Sequence, residues 1–152
     1  MRISTHISYK ESVRSNTATK LGISNIPSEE ILEEMKITAY KVFEPLRRWV
    51  EGPIRVNSFY RSEDLNRAVG GSGSSQHCKG QALDLDDTFG CKTNAEMFKY
   101  IKENIEFDQL IWEFGDDENP DWVHVSYTEH RKNRGRILKA IRKNGRTRYL
   151  EI

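Results

Sequence analysis

Ten residues, 75–84, carry the side chains that point most directly to chemistry. They place an imidazole, His77, and a carboxylate, Asp84, seven residues apart with Gly80 between them. A neutral imidazole and a carboxylate are both good zinc ligands, and a loop that leads into a strand can turn both toward one point. The segment therefore suggests two ligands of a metal site, and a third has to come from elsewhere.

The other three histidines are His6, His124 and His130. His124 lies between two valines in a predicted strand, and a strand holds a ligand in a fixed geometry. Two histidines and one aspartate leave the fourth tetrahedral position free for water, as in catalytic zinc sites. A histidine on an apolar strand can equally be a hydrogen-bonded core residue, so the residues alone leave this open. His6 and His130 have no motif around them and are assigned no role.

The elements that must position these side chains are predicted from periodicity and turn residues. Residues 81–86 are expected to form a short strand after a glycine-rich loop at 70–75, which puts Asp84 on a strand. Residues 108–114 and 121–127 flank a turn rich in Gly, Asp, Asn and Pro, which predicts a hairpin that carries His124.

Further helices and strands are predicted around these segments. A helix is expected to begin near Ser28 and to present an apolar stripe to the core, with Pro45 kinking or shortening its last turn. The other predicted elements are a strand at 53–60, a helix at 63–68, a helix opened by Thr93 and Glu96, a basic helix at 134–142 and a strand at 146–151. This order favours an α+β fold with a mostly antiparallel sheet and flanking helices.

Composition narrows the class of protein. The chain has 152 residues, of which 36% are hydrophobic and 31% are charged, and this excludes disordered and fibrous classes. Its length predicts one domain spanning 1–152. No apolar run is long enough for a membrane span, the N-terminus lacks the apolar region of a secretory signal, and two cysteines do not make a disulfide framework. We therefore expect synthesis in a cytoplasm.

The segment at 75–84 resembles the signature S-x-H-x-x-G-x-A-x-D of the zinc D-Ala-D-Ala peptidases of the M15 family, which share a fold with the Hedgehog signalling domain. The five specified residues stand here as Ser75, His77, Gly80, Ala82 and Asp84. Residues 122–124 are similar to the family's W-x-H element, and residues 58–66 to its S-x-Y-R-S…N segment. Residues 17–27 resemble prophage-type members of the family, those of its subfamily A. The resemblance covers about residues 3–140 and implies a Hedgehog/DD-peptidase-like fold.

Carried over by position, the resemblance implies that His77, Asp84 and His124 bind one Zn²⁺ per chain. Zinc activates a water molecule, and a carboxylate must then take the proton of that water and pass it to the leaving amine. Asp121, three residues before His124, is narrowly preferred as this base because some family members carry an acidic residue there. Glu113, on the facing strand of the hairpin, is the other candidate. Asp121 can equally be a turn residue, and Glu113 a solvent-facing cross-strand charge.

Two further residues are expected at the site. Arg61 resembles the family arginine that binds the substrate's carboxylate or steadies the developing oxyanion, and a guanidinium suits both tasks. The alternative for Arg61 is a surface ion pair with Glu63 or Asp64. Ser75 is expected to bind near the substrate by donating a hydrogen bond, or else to satisfy local backbone. Cys78, although next to a ligand, is expected to be a loop thiol.

The resemblance implies a zinc metallopeptidase that hydrolyses peptidoglycan stem-peptide bonds next to D-amino acids. It could act as a D-Ala-D-Ala carboxypeptidase or as an endopeptidase of the endolysin kind. The alternative is a non-catalytic Hedgehog-like domain that keeps zinc for stability or binding. We expect a monomer whose partner is a peptidoglycan peptide and which associates with no membrane. If the protein is a phage lysin, it is expected to reach the cell wall after release from the cytoplasm.

Charge is unevenly distributed along the chain although the net charge is +1. Residues 129–152 hold nine Lys or Arg and two Glu, so the first 128 residues have a net charge of −6. Such a tail is either a solvated surface or attracts a polyanion, which could be an anionic cell-wall polymer or nucleic acid. Nucleic-acid binding is not expected, because Tyr149 is the tail's one aromatic residue for base stacking.

Overall fold

Short strands and helices form the first third of the chain. All 152 residues are described by the computed structural model. The first elements are β1 (Arg2–Ser4), β2 (Ile7–Ser8), α1 (Tyr9–Val13), α2 (Asn16–Leu21), α3 (Glu29–Thr38) and α4 (Glu44–Val50). Ser8, Ser15 and Ser28 cap the first three helices by accepting backbone N–H groups. The first four of these elements were not predicted from the sequence, because segments of six residues or fewer show no readable hydrophobic period.

The predicted helix after Ser28 is confirmed, but it is widened rather than cut short near Pro45. Helix α3 continues through a π-helical turn, Ala39–Phe43, into α4, and Pro45 lies in the first turn of α4. Proline lacks an amide donor and its ring crowds the carbonyl four residues earlier, so the hydrogen-bond ladder is displaced there. Met35 and Leu46 remain fully buried, which keeps the apolar stripe continuous across the turn.

The rest of the chain forms one six-stranded sheet and two helices. The elements are β3 (Arg55–Ser58), α5 (Glu63–Ala68), β4 (Ala82–Asp86), α6 (Asn94–Asn104), β5 (Gln109–Glu113), β6 (Trp122–Ser126), β7 (Arg136–Lys143) and β8 (Arg146–Glu151). The strand order is β3-β4-β6-β5-β7-β8, and all neighbours are antiparallel except β5 and β7, which run parallel. The predicted α+β class with a mostly antiparallel sheet is therefore confirmed.

Most predicted elements of this region are confirmed, with strand ends that differ by at most two residues. Thr93 and Glu96 form the predicted capping box at the start of α6. The exception is the basic helix at 134–142, which is wrong because this segment forms β7. Leu138 and Ala140 are buried against β5, and this distant pairing overrides the local helical preference of a basic, alanine-containing segment. No helix is both long and apolar enough to cross a membrane.

The two faces of the sheet have different roles. Alternate strand residues, among them Leu83, Val123 and Val125, pack with the helices in the main hydrophobic core. The residues between them, including Asp84 and His124, point to the opposite face. On that face a small apolar cluster of Ile111, Leu138 and Ala140 lies beside the polar residues. One face therefore holds the core, and the other is free to carry chemistry.

A buried carboxylate, Asp108, anchors the loop that leads into β7. Its oxygens accept hydrogen bonds from the guanidinium groups of Arg131 and Arg134 at 2.7–3.1 Å, and from the Arg134 backbone at 3.0 Å. Burial alone would raise the pKa of Asp108, but these hydrogen bonds hold it well below its usual range. Asp108 therefore stays ionised and fixes where the C-terminal strands begin.

The low pKa of Asp108 predicts how stability depends on pH. A carboxyl whose pKa is lower in the folded state stabilises the fold above its unfolded pKa of about 3.9, and this contribution is lost as pH falls toward the folded value. We expect Asp108→Asn to lower the free energy of unfolding at pH 7 by about 1–3 kcal/mol, since both guanidinium groups keep part of their hydration. Urea unfolding between pH 7 and pH 2.5 should show a shallower acid dependence in Asp108→Asn; parallel curves would contradict the assignment.

Candidate active site

The structure brings together the three residues predicted to bind a metal ion. Asp84 in β4 lies directly opposite His124 in β6, and His77 lies in a 3₁₀ turn, Gln76–Lys79, just before β4. The distance from Asp84 Oδ1 to His124 Nδ1 is 3.0 Å, and that from Asp84 Oδ2 to His77 Nε2 is 3.3 Å. One candidate ligand atom from each residue lies within 4.8 Å of the others. This spacing lets a single ion contact all three.

The surroundings of His77 fit a bound cation. Its Nδ1 lies 2.7 Å from the carbonyl oxygen of Phe59, which can only accept, so Nδ1 carries the proton and Nε2 presents a lone pair. His77 is 1% exposed, and its Nε2 has no hydrogen-bond partner. Burial lowers the pKa of His77, which keeps the ring neutral. A buried lone pair beside a carboxylate lacks compensation unless a cation lies between them, so the donor set fits a metal ion.

Asp84 supplies the negative charge of this group. Burial alone would raise the pKa of Asp84, yet His77 and the hydrogen bond with His124 hold it below its usual range. The group is therefore two imidazoles and one ionised carboxylate in a poorly solvated site. Nitrogen and oxygen donors of this kind suit zinc, with a fourth position left for a small molecule.

Gly80 explains why the signature has a glycine between the two ligands. Its φ of +71° lies in the left-handed region, and a Cβ there would lie 2.6 Å from Met35 Cγ and 3.0 Å from the carbonyl oxygen of Ile31. Gly80 thus lets the turn reverse toward β4 while packing directly on α3. The backbone conformation and the close approach both place His77 beside Asp84.

These two roles of Gly80 can be separated with a matched glycine. Gly22 has a similar φ of +67°, but its Cβ would meet nothing within 4 Å. We expect Gly22→Ala to cost about 1–2 kcal/mol of unfolding free energy from backbone strain, and Gly80→Ala to cost a further amount, about 1–3 kcal/mol, from overpacking. Denaturant unfolding of both variants measures the difference. Equal losses would show that packing on α3 contributes nothing.

The structure places Glu113, and not Asp121, at the site. Glu113 ends β5 with 6% exposure, on the same face as Ile111, which lies opposite His124. Asp121 is exposed, lies just before β6 and is not among the residues that line the groove described below. Its backbone N–H donates to the carbonyl of Glu113 at 2.9 Å, which closes the hairpin. The burial of Glu113 favours it over Asp121 as the candidate base, and its role stays a prediction.

The carboxyl of Glu113 lies in a setting that suits proton transfer. Burial raises the pKa of Glu113 to about 7, with His124 and Arg61 opposing this shift and Asp84 adding to it. A carboxyl with a pKa near neutrality can both accept and release a proton at physiological pH. The other reading of Glu113, as a solvent-facing charge, does not agree with its burial.

Arg61 faces the same site without an ion-pair partner. Its Nη2 donates to Ser75 Oγ at 3.4 Å, and its buried Nε has no hydrogen-bond partner. Asp64 pairs with Arg67 instead, so the predicted alternative of a surface ion pair for Arg61 is wrong. Ser75 also accepts from the backbone N–H of His77 at 3.2 Å, so it holds the ligand turn and orients the arginine. Arg61 is thus free to bind an anionic group.

Asn66 holds the glycine-rich loop at 70–75, which precedes this turn. The amide of Asn66 donates to the carbonyl of Ser72 at 2.7 Å, and a Cβ at Gly71 would lie 2.0 Å from Asn66 Oδ1. Asn66 therefore fixes the loop that leads to Ser75. Cys78 is a half-buried free thiol outside the candidate metal group, as expected for a loop residue.

The three candidate ligands, Glu113, Arg61 and Ser75 line one open groove of about 1210 Å³. Among its other lining residues are Trp122, Arg142 and Tyr149, to which the sequence assigned no role. The indole Nε1 of Trp122 is buried and has no hydrogen-bond partner. Arg142 and Tyr149 come from β7 and β8. Their place was hidden by the incorrect helix, although alternation in the segment RILKAIRK was a strand signal that could have revealed it.

A family model described as Peptidase M15 matches residues 5–126, a segment that contains the three candidate ligands, Arg61 and Glu113. No curated protein matches the chain. The match supports the resemblance drawn from the signature and leaves the prophage-type branch as a prediction. Since it covers most of the chain, the protein belongs to the peptidase family M15.

Proposed function

We propose that the protein is a zinc-dependent peptidase that hydrolyses peptidoglycan stem-peptide bonds next to D-amino acids. The observation that carries this proposal is the convergence of His77, Asp84 and His124 with a buried carboxyl, Glu113, in one groove. Membership of the family supports peptide hydrolysis. The identity of the metal and of the substrate are parts of the proposal.

The residues have separate tasks in this mechanism. His77, Asp84 and His124 would hold the ion, with the Phe59 carbonyl fixing the ring of His77. A bound zinc ion lowers the pKa of a water molecule toward neutrality and polarises the peptide carbonyl. The Glu113 carboxylate accepts a proton from the attacking water and delivers it to the leaving amine nitrogen. Burial favours the protonated form of Glu113, which assists delivery of the proton to the leaving group.

Arg61 would position the substrate. Its unpartnered guanidinium edge can donate to a terminal carboxylate of the peptide or to the oxyanion that develops on the carbonyl. The first use corresponds to a carboxypeptidase and the second to an endopeptidase. The groove is open enough for a peptide to extend past the metal group in either mode.

The experiment is mass spectrometry of purified peptidoglycan after incubation with the protein, with and without a chelator. We expect new fragments that vanish with the chelator and return when zinc is added. Loss of a terminal D-alanine would identify a carboxypeptidase, and internal cleavage an endopeptidase. If zinc-loaded protein releases no fragment from several wall types, the proposal fails and the alternative function, a non-catalytic zinc-binding domain, is favoured.

Several expectations from the sequence stay predictions. They concern the single domain, the monomeric state, synthesis in a cytoplasm with release as a phage lysin, attraction of a wall polymer to the basic C-terminus, and the lack of membrane or nucleic-acid partners. We propose that the basic residues are not one uniform patch. Arg131 and Arg134 are committed to Asp108, and Arg136 pairs with Glu151, so fewer positive charges remain for a polyanion than the sequence suggests.

A further inference from the structure

The hairpin of β7 and β8 forms a wall of the groove although it lies beyond the segment that matches the family. In β5, Glu113 lies opposite Ala140, and Ala140 in turn lies opposite Tyr149. Arg142 lies opposite Thr147 one step along the same face. Because Ala140 is small and fully buried, the side chains of Arg142 and Tyr149 rise on either side of it toward the groove.

Arg142 carries a positive charge that no carboxylate neutralises. The salt bridges of this region use Arg131, Arg134, Arg136 and Lys139, and none uses Arg142. Its guanidinium lies over the ring of Phe114, 4.6 Å from the centroid. A cation on an aromatic face keeps its N–H groups available at its edges for an anion. The guanidinium N–H groups of Arg142 therefore face the groove without a carboxylate partner.

Phe114, which supports Arg142, is held in an unusual conformation. Its φ of +58° is in the left-handed region, and its backbone N–H donates to the carbonyl of Ala140 at 3.0 Å. Its ring also packs edge-to-face on Trp122, with centroids 5.5 Å apart. A bulky residue persists in this region only where the surrounding structure requires it. These contacts hold the Phe114 ring under Arg142, directly after the residue Glu113 that ends β5.

Tyr149 adds a neutral donor to Arg142. Burial, together with the nearby charges of Glu113 and Asp84, raises the pKa of Tyr149. Its hydroxyl therefore keeps its proton at neutral pH and can donate to an anion. A guanidinium and a hydroxyl on one face of a hairpin form a donor pair of the kind that binds carboxylates.

We propose that Arg142 and Tyr149 form a second subsite, which binds a carboxylate of the substrate at a distance from the scissile bond. This inference rests on the proposed function. Strand β7 lies two strands from β6, about 10 Å at the usual strand spacing, which an extended peptide spans with about three residues. Arg61, near β4, lies on the other side of the metal group. Preferred substrates therefore carry a free carboxylate two or three residues from the cleaved bond.

The test compares two synthetic stem pentapeptides that contain diaminopimelate. One has its two non-terminal carboxylates free, and the other has both as carboxamides. We expect the wild type to prefer the carboxylate form by about tenfold to a hundredfold in kcat/KM, the range for a hydrogen bond to a charged group. Arg142→Ala and Arg142→Gln should lose this preference, and Tyr149→Phe should lose part of it.

Arg148→Ala is the matched control. Arg148 is on the same hairpin and its removal changes the net charge equally, but it lies opposite Ile141 on the other face of the sheet. The control should keep the full preference. Equal selectivity in Arg142→Ala and Arg148→Ala would overturn the subsite, even if both variants cleave peptides well.

A binding measurement separates failure of the subsite from failure of the proposed function. Calorimetry with the Glu113→Gln protein, which retains the groove, reports the affinity for each peptide without turnover. If Glu113→Gln binds the carboxamide peptide more weakly than the carboxylate peptide, and this difference in affinity is absent in Glu113→Gln/Arg142→Ala, the subsite is supported even if no peptide is cleaved. Equal affinity for both peptides contradicts it, whatever the wild type hydrolyses.

Discussion

Glu113→Gln is expected to reduce kcat for stem-peptide hydrolysis by about 10²–10⁴-fold while the metal stays bound. Glutamine keeps the shape of the side chain but cannot accept a proton. Glu113 is the buried carboxyl that shares the groove with His77, Asp84 and His124, and its pKa of about 7 suits transfer to and from a substrate. Turnover of a defined peptide, with the metal content of each preparation measured alongside, gives the comparison.

Asp121→Asn is the control, since it alters the other carboxylate that the sequence offered. Its side chain is exposed and lies outside the groove, so we expect kcat and metal content close to those of the wild type. If Asp121→Asn loses activity as strongly as Glu113→Gln is expected to, the assignment of the base is reversed. If both single variants and the double variant keep their turnover, neither carboxylate is the base.

Asp84→Asn is expected to release the metal. The carboxylate lies between two imidazoles and provides the single negative charge among the three ligands, and an amide oxygen is a much weaker zinc ligand. We expect metal affinity to fall by at least about 100-fold, more than for an outer-shell change, and activity to fall with it. Competition with a chromophoric chelator measures the affinity.

His130→Ala provides the control for metal binding. His130, Glu34 and Glu129 form a second, more exposed group of residues of metal-binding type. We expect His130→Ala to leave metal affinity and turnover unchanged. If His130→Ala lost the metal while Asp84→Asn kept it, the ion would instead be bound by the exposed group of Glu34, Glu129 and His130.

The parts of the fold that could be predicted are those with local chemical signals. The capping box of Thr93 and Glu96 fixed the start of α6, and the turn between β5 and β6 predicted the hairpin that carries His124. The candidate ligand set followed from the resemblance of residues 75–84 and 122–124 to the family's signature, since the residue types alone left it open. These signals lie within a few residues and depend little on distant contacts.

The remaining differences have another cause. The preference for Asp121 followed its nearness to His124 in the chain, whereas the carboxyl that is buried in the groove, Glu113, comes from the facing strand β5. Strand β7 was mistaken for a helix because its basic, alanine-containing composition was given more weight than the apolar alternation in RILKAIRK, and its parallel pairing with the distant β5 decides the outcome. The roles of Arg142 and Tyr149 depend on that pairing. They became visible only when the hairpin was in place beside Glu113.

Zinc titration of metal-depleted protein tests whether hydrolysis depends on one ion held by His77, Asp84 and His124. We expect stem-peptide hydrolysis to rise in proportion to bound zinc and to saturate at one ion per chain, while Asp84→Asn gains neither zinc nor activity over the same range. Full hydrolysis by the metal-free wild type, or tight binding of one zinc with no hydrolysis of any stem peptide, would contradict this expectation.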